Sequence, residues 1–440
     1  MITKCSIHIL RYNTITSKYV YSSKSILLIQ KLHTQSSTSK TKRQYPSISL
    51  YDNLHPPGFE SATKDTTFIH SATPYSDKYY QPLISQGGKG FDRIILPKDF
   101  TAENQELSKE DEISVNQESL QAIVSSFDAP IDGAIGYGSG ILPQDGYDQQ
   151  PVKPGDDINS KQLDFIFLVE DTAKFHQSNV FRNPSHYSNK SLKIINRIQG
   201  KDGIYFNPFV KINEKLVKYG VVSKKSALLD LSEWHSLYFA GRLQKPVNFI
   251  VDNDPMIKFL NQYNLKNAMT IAIFLINSSQ FTERELYEQI TKLSYLGDFR
   301  MYIGGENPNK AKNIVSKQFY HFKKLYEPIL NFFIHKNYLI ILNNDAVNRT
   351  FKTNLNANNR IKLISCLPLK FRQQLYGRYY EKSIKEIVVD EKLPDNLTKI
   401  ISRTIFASSI KQGIRGLLTA GLFNSIRYAI AKQMKFWNGK

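Results

Sequence analysis

A glycine-rich segment, Ile135-Gly-Tyr-Gly-Ser-Gly140, precedes an apolar strand predicted over Leu163–Asp171. By itself such a turn usually only reverses the chain. A strand that enters a Gly-Ser turn can also place backbone N–H groups and a hydroxyl around a phosphate, and a carboxylate on the next strand can hold Mg²⁺ against it. We therefore predict an α/β (α+β) fold with a mixed sheet, in which Gly138 and Ser139 bind phosphate and Asp164 is a metal ligand; for Asp164, an edge residue that faces water is the alternative.

The positive charge of the chain is concentrated at its two ends. The chain has 440 residues, 41% of them apolar, and a net charge of +19. Residues 1–51 and residues 396–440 each contain eight Lys and Arg and no acidic residue, so about +3 remains for the middle of the chain. Binding to a nucleic-acid backbone depends on clustered cations. The length therefore allows two domains, and a nucleic-acid partner is not expected.

Residues 1–50 have the composition of a mitochondrial transit peptide. Arg and Lys are spaced along a segment that is rich in Ser and Thr and free of acidic residues, as in the basic amphipathic segments that direct import. An ordinary disordered basic tail is the alternative. Only Cys5 and Cys366 are present, so no disulfide is expected in the mature chain. No run of about 18 apolar residues occurs, so any membrane contact is expected to be peripheral.

Several motifs together resemble one known family. They are the glycine turn, the strand segment Asp164-Phe-Ile-Phe, the spaced residues His176, Asn179, Asn183 and His186, the run Trp234–Val247 with Gly241, Arg242, Lys245 and Pro246, and the block from Gly297 to Val315. Over roughly residues 115–435 the chain is similar to the mitochondrial translocator assembly and maintenance family of phosphatidate cytidylyltransferases.

The resemblance implies a domain organisation and a reaction. Clusters of proline and glycine followed by an acidic run indicate a linker or extended arm over residues 51–115. The resemblance implies a nucleotidyltransferase domain over 116–253 and a winged-helix-like domain over 254–395. The implied reaction makes CDP-diacylglycerol and pyrophosphate from CTP and phosphatidic acid, with Mg²⁺ as cofactor, and feeds cardiolipin and phosphatidylglycerol synthesis. The implied location is the matrix side of the mitochondrial inner membrane. The choice of CTP rests on the resemblance alone.

The cations of the second motif are predicted to bind phosphates. Arg242 can make a forked contact and Lys245 a point-charge contact with the triphosphate and the leaving pyrophosphate; a solvated basic turn is the alternative. With Ser139 and Asp164, Lys245 is a predicted catalytic residue. Asn179 and His186 are predicted to shape the nucleotide pocket, although a structural role is almost equally supported.

The second metal ligand is less well defined than the first. Nucleotidyltransferases usually carry another carboxylate two residues after the first, but this chain has Ile166 there. Asp230 is the first candidate for the missing ligand, because a further carboxylate normally comes from a later element. An N-cap role ahead of Leu231-Ser-Glu233 is the alternative.

Beyond Asp252 the sequence becomes helical. Leu265–Ile276 and Glu283–Leu293 are predicted helices, and Thr282 with Glu285 forms a capping box. Arg300, Lys310 and Asn313 are predicted to form the second wall of the active-site cleft, where they would bind phosphatidate. Ordinary interdomain salt bridges are the alternative.

The segment 396–440 is predicted to be a basic amphipathic tail that contacts anionic inner-membrane lipids. Its predicted membrane-facing cations are Lys411, Arg415, Arg427, Lys432 and Lys435. Each cation near such a surface contributes about 1 kcal/mol. Packing on the protein's own core is the alternative for the apolar positions. Two other functions stay open: a nucleotidyltransferase that acts on RNA, and a noncatalytic inner-membrane assembly factor.

Overall fold

A computed structural model describes residues 101–107, 114–144, 162–200, 203–276, 278–302, 307–379 and 382–420. The predicted transit peptide and most of the predicted linker lie outside these ranges. So do the predicted membrane cations Arg427, Lys432 and Lys435.

The described residues form a mixed α/β structure, as predicted. The strands are β1 Gly133–Tyr137, β2 Leu163–Val169, β3 Tyr205–Ile212, β4 Lys215–Ser223, β5 Asn248–Asp252, β6 Gln280–Thr282, β7 Leu339–Asn343 and β8 Thr350–Thr353. The helices are α1 Gln117–Ser125, α2 Thr172–Arg182, α3 Leu192–Gln199, α4 Lys224–Glu233, α5 Ala240–Leu243, α6 Pro255–Leu275, α7 Glu283–Leu293, α8 Phe299–Tyr302, α9 Lys310–His335, α10 Ala357–Ser365, α11 Leu369–Tyr376, α12 Ile384–Val389 and α13 Leu393–Ala420. No helix in these ranges combines the length and apolar character needed to span a bilayer.

The first sheet has five strands in the order β3-β4-β2-β1-β5. Strands β2 and β4 are parallel, and the other neighbours are antiparallel. Along β2, Ile166 and Leu168 pack in one core cluster, whereas Phe165 and Phe167 pack in another. Because side chains alternate along a strand, Asp164 shares the face of Ile166 and Leu168, as predicted.

Local signals account for the elements around this sheet. Helix α1 buries Leu120, Ile123 and Val124 at helical spacing, and the Asn116 side chain caps it by accepting a hydrogen bond from the Ser119 N–H. Helix α2 ends at Arg182, ahead of a short 3₁₀ turn over Pro184–His186, because proline disfavours helical backbone at the residue before it.

From α6 to β8 the second half follows the order helix, strand, helix, helix, helix, strand, strand, where α8 is a single turn, and α10–α13 come after β8. Strands β6, β8 and β7 form a three-stranded antiparallel sheet in that spatial order. Helix α7 matches the predicted Glu283–Leu293, and its capping box is present. Helix α6 is longer than the predicted Leu265–Ile276, because it begins at Pro255.

The two halves share a hydrophobic core. One buried cluster contains Ile166 and Leu168 of the first sheet together with residues of α6, α7, α9 and α13. Part of the predicted linker also packs here: the Asn104 Nδ2 donates to the Leu325 carbonyl at 2.8 Å, and the Gln105 Nε2 donates to the Lys258 carbonyl at 2.8 Å.

Candidate active site

The glycine turn lies beside Asp164, as predicted. It is closed by the Gly138 carbonyl, which accepts hydrogen bonds from the N–H groups of Ile141 at 3.1 Å and Leu142 at 2.9 Å. Gly138 has a φ of +79°, which favours glycine, and a Cβ there would lie 3.2 Å from the Asp164 Oδ2. Ser139 is half-buried in the same turn. The turn and the carboxylate therefore form one surface at the end of β1.

Asp164 is paired with a residue that the sequence analysis missed. The Lys218 Nζ donates to the Asp164 Oδ1 at 3.1 Å, from the neighbouring position on the parallel strand β4. The ammonium group also lies 4.9 Å from the centroid of the Phe206 ring. A charged residue between Val217 and Tyr219 in an otherwise apolar strand is the signal that could have identified Lys218, since the same signal identified Asp164.

Helix α5 places Arg242 against two tyrosines on this face of the sheet. The Arg242 Cζ lies 3.8 Å from the ring centroid of Tyr238 and 5.2 Å from that of Tyr137. The Tyr137 hydroxyl and the Arg242 Nε are buried and have no hydrogen-bond partner within the described residues. Unsatisfied buried polar atoms are rare in folded proteins, so their position here indicates a site built to receive a polar ligand.

Cations converge on the Tyr238 hydroxyl. Burial alone would raise its pKa, but the charges of Arg242, Arg300 and Lys218 together lower the pKa of Tyr238 below its usual value. A concentration of positive charge that shifts a phenol in this direction also favours a multiply charged anion.

Lys245 is held between the two halves of the molecule. Its Nζ donates to the Gly241 carbonyl and to the Ser294 Oγ, the latter at 2.7 Å. Burial lowers the pKa of Lys245 to about 7, with further lowering from the charges of Arg242 and Lys310. Near neutral pH a large fraction of Lys245 is therefore the neutral amine, which gains a proton when an anion binds.

The predicted second wall is brought to this site through Arg300 and Lys310. Lys310 and Lys245 lie on the same ring, at 5.8 and 5.7 Å from the centroid of Tyr295. The guanidinium of Arg300 is oriented by Asp298, which accepts from its Nη2 at 2.6 Å and from its Nε at 3.0 Å. Asn313 lies in the first turn of α9 and is half-buried.

Asp230 has a structural role that does not support its prediction as a metal ligand. Its carboxylate is buried and accepts five hydrogen bonds, from the N–H groups of Ser236, Leu237, Phe239 and Ala240 and from the Ser236 hydroxyl, at 2.6–3.0 Å. The predicted N-cap alternative is wrong, because Asp230 lies inside α4, whose N-cap is Ser223. Asp230 instead orders the loop that leads into α5 and Arg242.

Asn179 and His186 lie on the other side of the sheet from Asp164. Asn179 donates to the Tyr219 hydroxyl at 2.8 Å, and the His186 Nδ1 lies 3.0 Å from the same hydroxyl. Tyr219 packs in the cluster of Phe165 and Phe167, whereas Asp164 faces the opposite way. The structure therefore does not bring these two residues together with Asp164, and their contacts support the structural role.

A magnesium ion fits this site with Asp164 as its single carboxylate ligand. Among the residues that the structure describes, no group of three or more His, Cys, Asp or Glu side chains could hold a metal. Mg²⁺ is commonly held by one or two carboxylates together with substrate phosphates. Asp164, next to a turn suited to phosphate, fits that pattern as a single carboxylate.

Comparison with known proteins identifies the family. The family model described as mitochondrial phosphatidate cytidylyltransferase matches residues 120–435. The mitochondrial phosphatidate cytidylyltransferase of Schizosaccharomyces pombe is 36% identical over 354 residues, which cover 76% of this chain and 87% of that protein. The chain belongs to the mitochondrial phosphatidate cytidylyltransferase family. The Saccharomyces cerevisiae protein of the same name is 37% identical, over 72% of this chain and 70% of that protein, and the Mus musculus protein is 34% identical, over 73% and 95%.

The resemblance recognised from the motifs is thus confirmed, and the structure places further residues beside the predicted site residues. Sequence motifs identified the charged groups Asp164, Arg242 and Lys245. They missed Tyr137 and Tyr238, which flank Arg242. Both tyrosines lie within the recognised motifs, Tyr137 in the glycine turn and Tyr238 in the run Trp234–Val247, but a tyrosine is a weak signal because buried tyrosines are common.

The predicted membrane tail begins within helix α13, which packs on the hydrophobic core shared by the two halves of the chain. Residues 396–440 start three positions after α13 begins at Leu393, and Leu397, Ile400, Ile401 and Ile405 are buried. Lys411 is exposed, whereas Arg415 is half-buried.

Proposed function

We propose that this chain is a phosphatidate cytidylyltransferase that makes CDP-diacylglycerol and pyrophosphate from CTP and phosphatidic acid. The observation that carries the proposal is the position of the Gly138 turn and Asp164 on the face where Arg242 and Lys245 meet, in a chain of this family. A phosphate-binding turn, a carboxylate and convergent cations are the groups that transfer of a nucleotidyl unit requires.

In the proposed reaction a phosphate oxygen of phosphatidate attacks the α-phosphorus of CTP. A new phosphorus–oxygen bond forms as the bond to the β-phosphate breaks in line, and pyrophosphate leaves with the displaced electron pair. The turn at Gly138 and Ser139 holds the CTP phosphates. Arg242 and Lys245 neutralise the negative charge that develops on the pyrophosphate. No covalent enzyme intermediate is needed.

Asp164 would hold the magnesium ion, with oxygens of the CTP phosphates completing its ligands. When bound, Mg²⁺ supplies Lewis-acid stabilisation of charge on the phosphate oxygens. In the structure the ammonium group of Lys218 pairs with the Asp164 carboxylate. Lys218 would balance the negative charge of this carboxylate until the substrate and the metal bind.

The order of the elements in residues 254–395 supports our proposal that they form a winged-helix-like domain. From α6 to β8 the order is helix, strand, helix, the single-turn helix α8, helix, and then the β7–β8 hairpin; apart from α8, this is the expected arrangement of such a domain. It supplies Arg300 and Lys310 to the cleft, where they would contact phosphatidate. The relatives are named mitochondrial, which supports that organelle, and we propose that the enzyme is a peripheral protein on the matrix side of the inner membrane.

Transfer of label from α-labelled CTP into lipid tests the proposal. The purified chain is incubated with Mg²⁺ and vesicles that contain phosphatidate, beside Asp164→Asn. Asp128→Asn is the matched control, because Asp128 lies in an exposed ion pair with Arg182 at 2.9 Å, and such pairs contribute little to stability.

We expect label in the lipid fraction for the wild-type chain and for Asp128→Asn. The Asp164→Asn variant should lose about 100-fold or more of the rate, the loss typical when one preorganised charge is removed. Absence of lipid label with any of the four nucleotides would contradict the proposal and favour an RNA-directed enzyme or an assembly factor. A fully active Asp164→Asn would contradict the metal-binding role.

A further inference from the structure

The C-terminal helix α13 packs along the active-site side of the molecule. The Gln412 Nε2 donates to the Ile204 carbonyl at 3.2 Å, just ahead of β3. The Phe299 N–H donates to the Ser409 Oγ at 3.3 Å, and Gly413 allows the helix to approach the Phe299 ring, which lies 2.8 Å from where a Cβ would be. The helix therefore lies between the start of β3 and the segment that carries Arg300.

Arg415 points from this helix into the protein. Its guanidinium lies against Gly200 and Gly203, and a Cβ on Gly203 would be 2.4 Å from the Nη1. The side chain is half-buried, and no carboxylate within the described ranges forms an ion pair with it. Burial lowers the pKa of Arg415 from its usual value, so the charged form is destabilised there until an anion approaches.

The surroundings of Arg415 reach the candidate active site through Tyr238. It interacts electrostatically with Tyr238, the residue on whose ring Arg242 is stacked at 3.8 Å. Tyr238 also contacts Phe206 of β3, with ring centroids 6.3 Å apart. Arg415 thus adds a further positive charge near Tyr238.

The other side of the same helix faces solvent. Ile414, Leu417 and Leu418 are 55–59% exposed, and Lys411 is exposed. An exposed apolar face on a helix that also carries an inward-facing Arg suits a segment that lies between a lipid surface and the cleft.

We propose that Arg415 is a substrate-binding residue that contacts the headgroup phosphate of phosphatidate, rather than one of the cations that face the membrane. The Gly138 turn, Arg242 and Lys245 already account for the CTP phosphates. Arg415 approaches from the helix whose outer face is apolar, which is the side from which a lipid headgroup would enter. This inference rests on the proposed function for the identity of the substrate.

Calorimetric binding of dihexanoyl phosphatidate, which dissolves without vesicles, tests the inference directly. We compare the full chain with Arg415→Gln, Arg415→Lys and Lys411→Gln. Lys411 is the matched control, because it lies one turn earlier on the same helix and is exposed. Circular dichroism and melting temperature establish that each variant is folded, and Arg415→Lys retains the charge and most of the packing if the glutamine variant is unstable.

Arg415→Gln should weaken binding of the soluble phosphatidate by about tenfold or more, the usual effect of removing one charge-assisted hydrogen bond. Arg415→Lys should be intermediate, because a lysine cannot make the forked contact. Binding of a nonhydrolysable CTP analogue should change by less than about twofold. Lys411→Gln should bind soluble phosphatidate normally and float less with anionic vesicles.

Two results would overturn the inference. One is unchanged phosphatidate binding by Arg415→Gln with reduced vesicle flotation, which would make Arg415 a membrane cation. The other is weaker binding of the CTP analogue alone, which would place Arg415 on the nucleotide side. Binding is measured without turnover, so the two proposals can fail separately. If the wild-type chain binds phosphatidate through Arg415 but transfers no label, the proposed function is contradicted and this inference stands. If the wild-type chain does not bind phosphatidate, this inference is contradicted.

Discussion

Lys245 combines two requirements that conflict in the free protein. It must be positively charged to stabilise phosphate, yet burial and the charges of Arg242 and Lys310 lower its pKa to about 7. Because this folded-state pKa lies below the unfolded value of about 10.4, the ammonium destabilises the fold at low pH. The free energy of unfolding therefore rises as the pH increases from about 7 to about 10, because the destabilisation by the buried ammonium is progressively lost. The conflict is relieved when a polyanion binds.

We therefore expect binding of CTP to take up a proton near neutral pH. Affinity for CTP should fall as the pH rises from about 6 to about 8.5, because the neutral amine of Lys245 cannot stabilise the triphosphate. Lys245→Arg should lose this component of the pH dependence, since arginine stays charged. Calorimetry in buffers of different ionisation enthalpy measures the proton uptake.

The arginine variant also serves as the control for titration of the triphosphate itself, which affects both proteins equally. An identical pH dependence and proton uptake in the wild-type chain and Lys245→Arg would contradict the assignment.

The sequence pointed to the charged residues that the structure brings together, but not to their partners. Asp164 was recognisable because an acid interrupts an apolar strand beside a glycine turn. Its pairing with Lys218 depends on the parallel register of β2 and β4, which no local pattern encodes. The same limit applies to Asn179 and His186, whose position on the far side of the sheet depends on where α2 packs against β4.

Helix α5 is four residues long and depends on Asp230 for its position. The carboxylate accepts four backbone N–H groups between Ser236 and Ala240, and α5 itself is too short to be stable alone. The loop and helix are therefore ordered by one buried side chain, and this order fixes Arg242 against Tyr137 and Tyr238.

We expect Asp230→Asn to disturb this element rather than a metal site. The amide has one acceptor oxygen and directs an NH₂ group at backbone donors, so at least one charge-assisted hydrogen bond of about 1.5–3 kcal/mol is lost. Urea unfolding should show lower stability, and the rate of label transfer should fall. The Mg²⁺ concentration that gives half the maximal rate should stay unchanged.

Ser236→Ala is the matched control, because it removes only the hydroxyl donor at 3.0 Å and keeps the backbone donors. It should have a smaller effect on both stability and rate. A large increase in the Mg²⁺ requirement of Asp230→Asn, at unchanged stability, would restore Asp230 as a metal ligand.

Elements with local signals were predicted well, and buried polar segments were not. Helix α7 was predicted with its correct bounds because Thr282 and Glu285 form a capping box within four residues. The first half of α6 was missed because it buries polar residues whose partners are distant in sequence. Lys258 pairs with Glu106 at 3.1 Å, and Gln262 accepts a hydrogen bond from Asn104 at 3.2 Å. These partners come together only in the folded chain.

Across the whole molecule, the active site and the proposed membrane surface are joined by one helix. The first part of α13 is buried in the core shared by both halves, its middle packs against β3 and Phe299, and its last described turns expose apolar side chains. A helix fixed at one end in the core holds its exposed face at a set position relative to the cleft. Binding to a lipid surface would therefore orient the cleft toward the headgroups.

This arrangement predicts that membrane binding can be separated from chemistry. Leu417 and Leu418 are 59% and 55% exposed, and burial of one leucine in an apolar environment stabilises by about 1.5–3 kcal/mol. The double variant Leu417→Ser, Leu418→Ser should weaken binding to phosphatidate-containing vesicles by at least about tenfold. Its rate with soluble dihexanoyl phosphatidate should match that of the wild-type chain, because neither side chain faces the cleft.

Phe181→Ser is the control, since Phe181 is 81% exposed on α2 and lies outside this helix. It should float with vesicles as the wild-type chain does. If the double variant floats normally, the exposed face of α13 binds something other than lipid. If instead it loses activity on the soluble substrate, α13 contributes its apolar face to the cleft and the separation between the two surfaces does not hold.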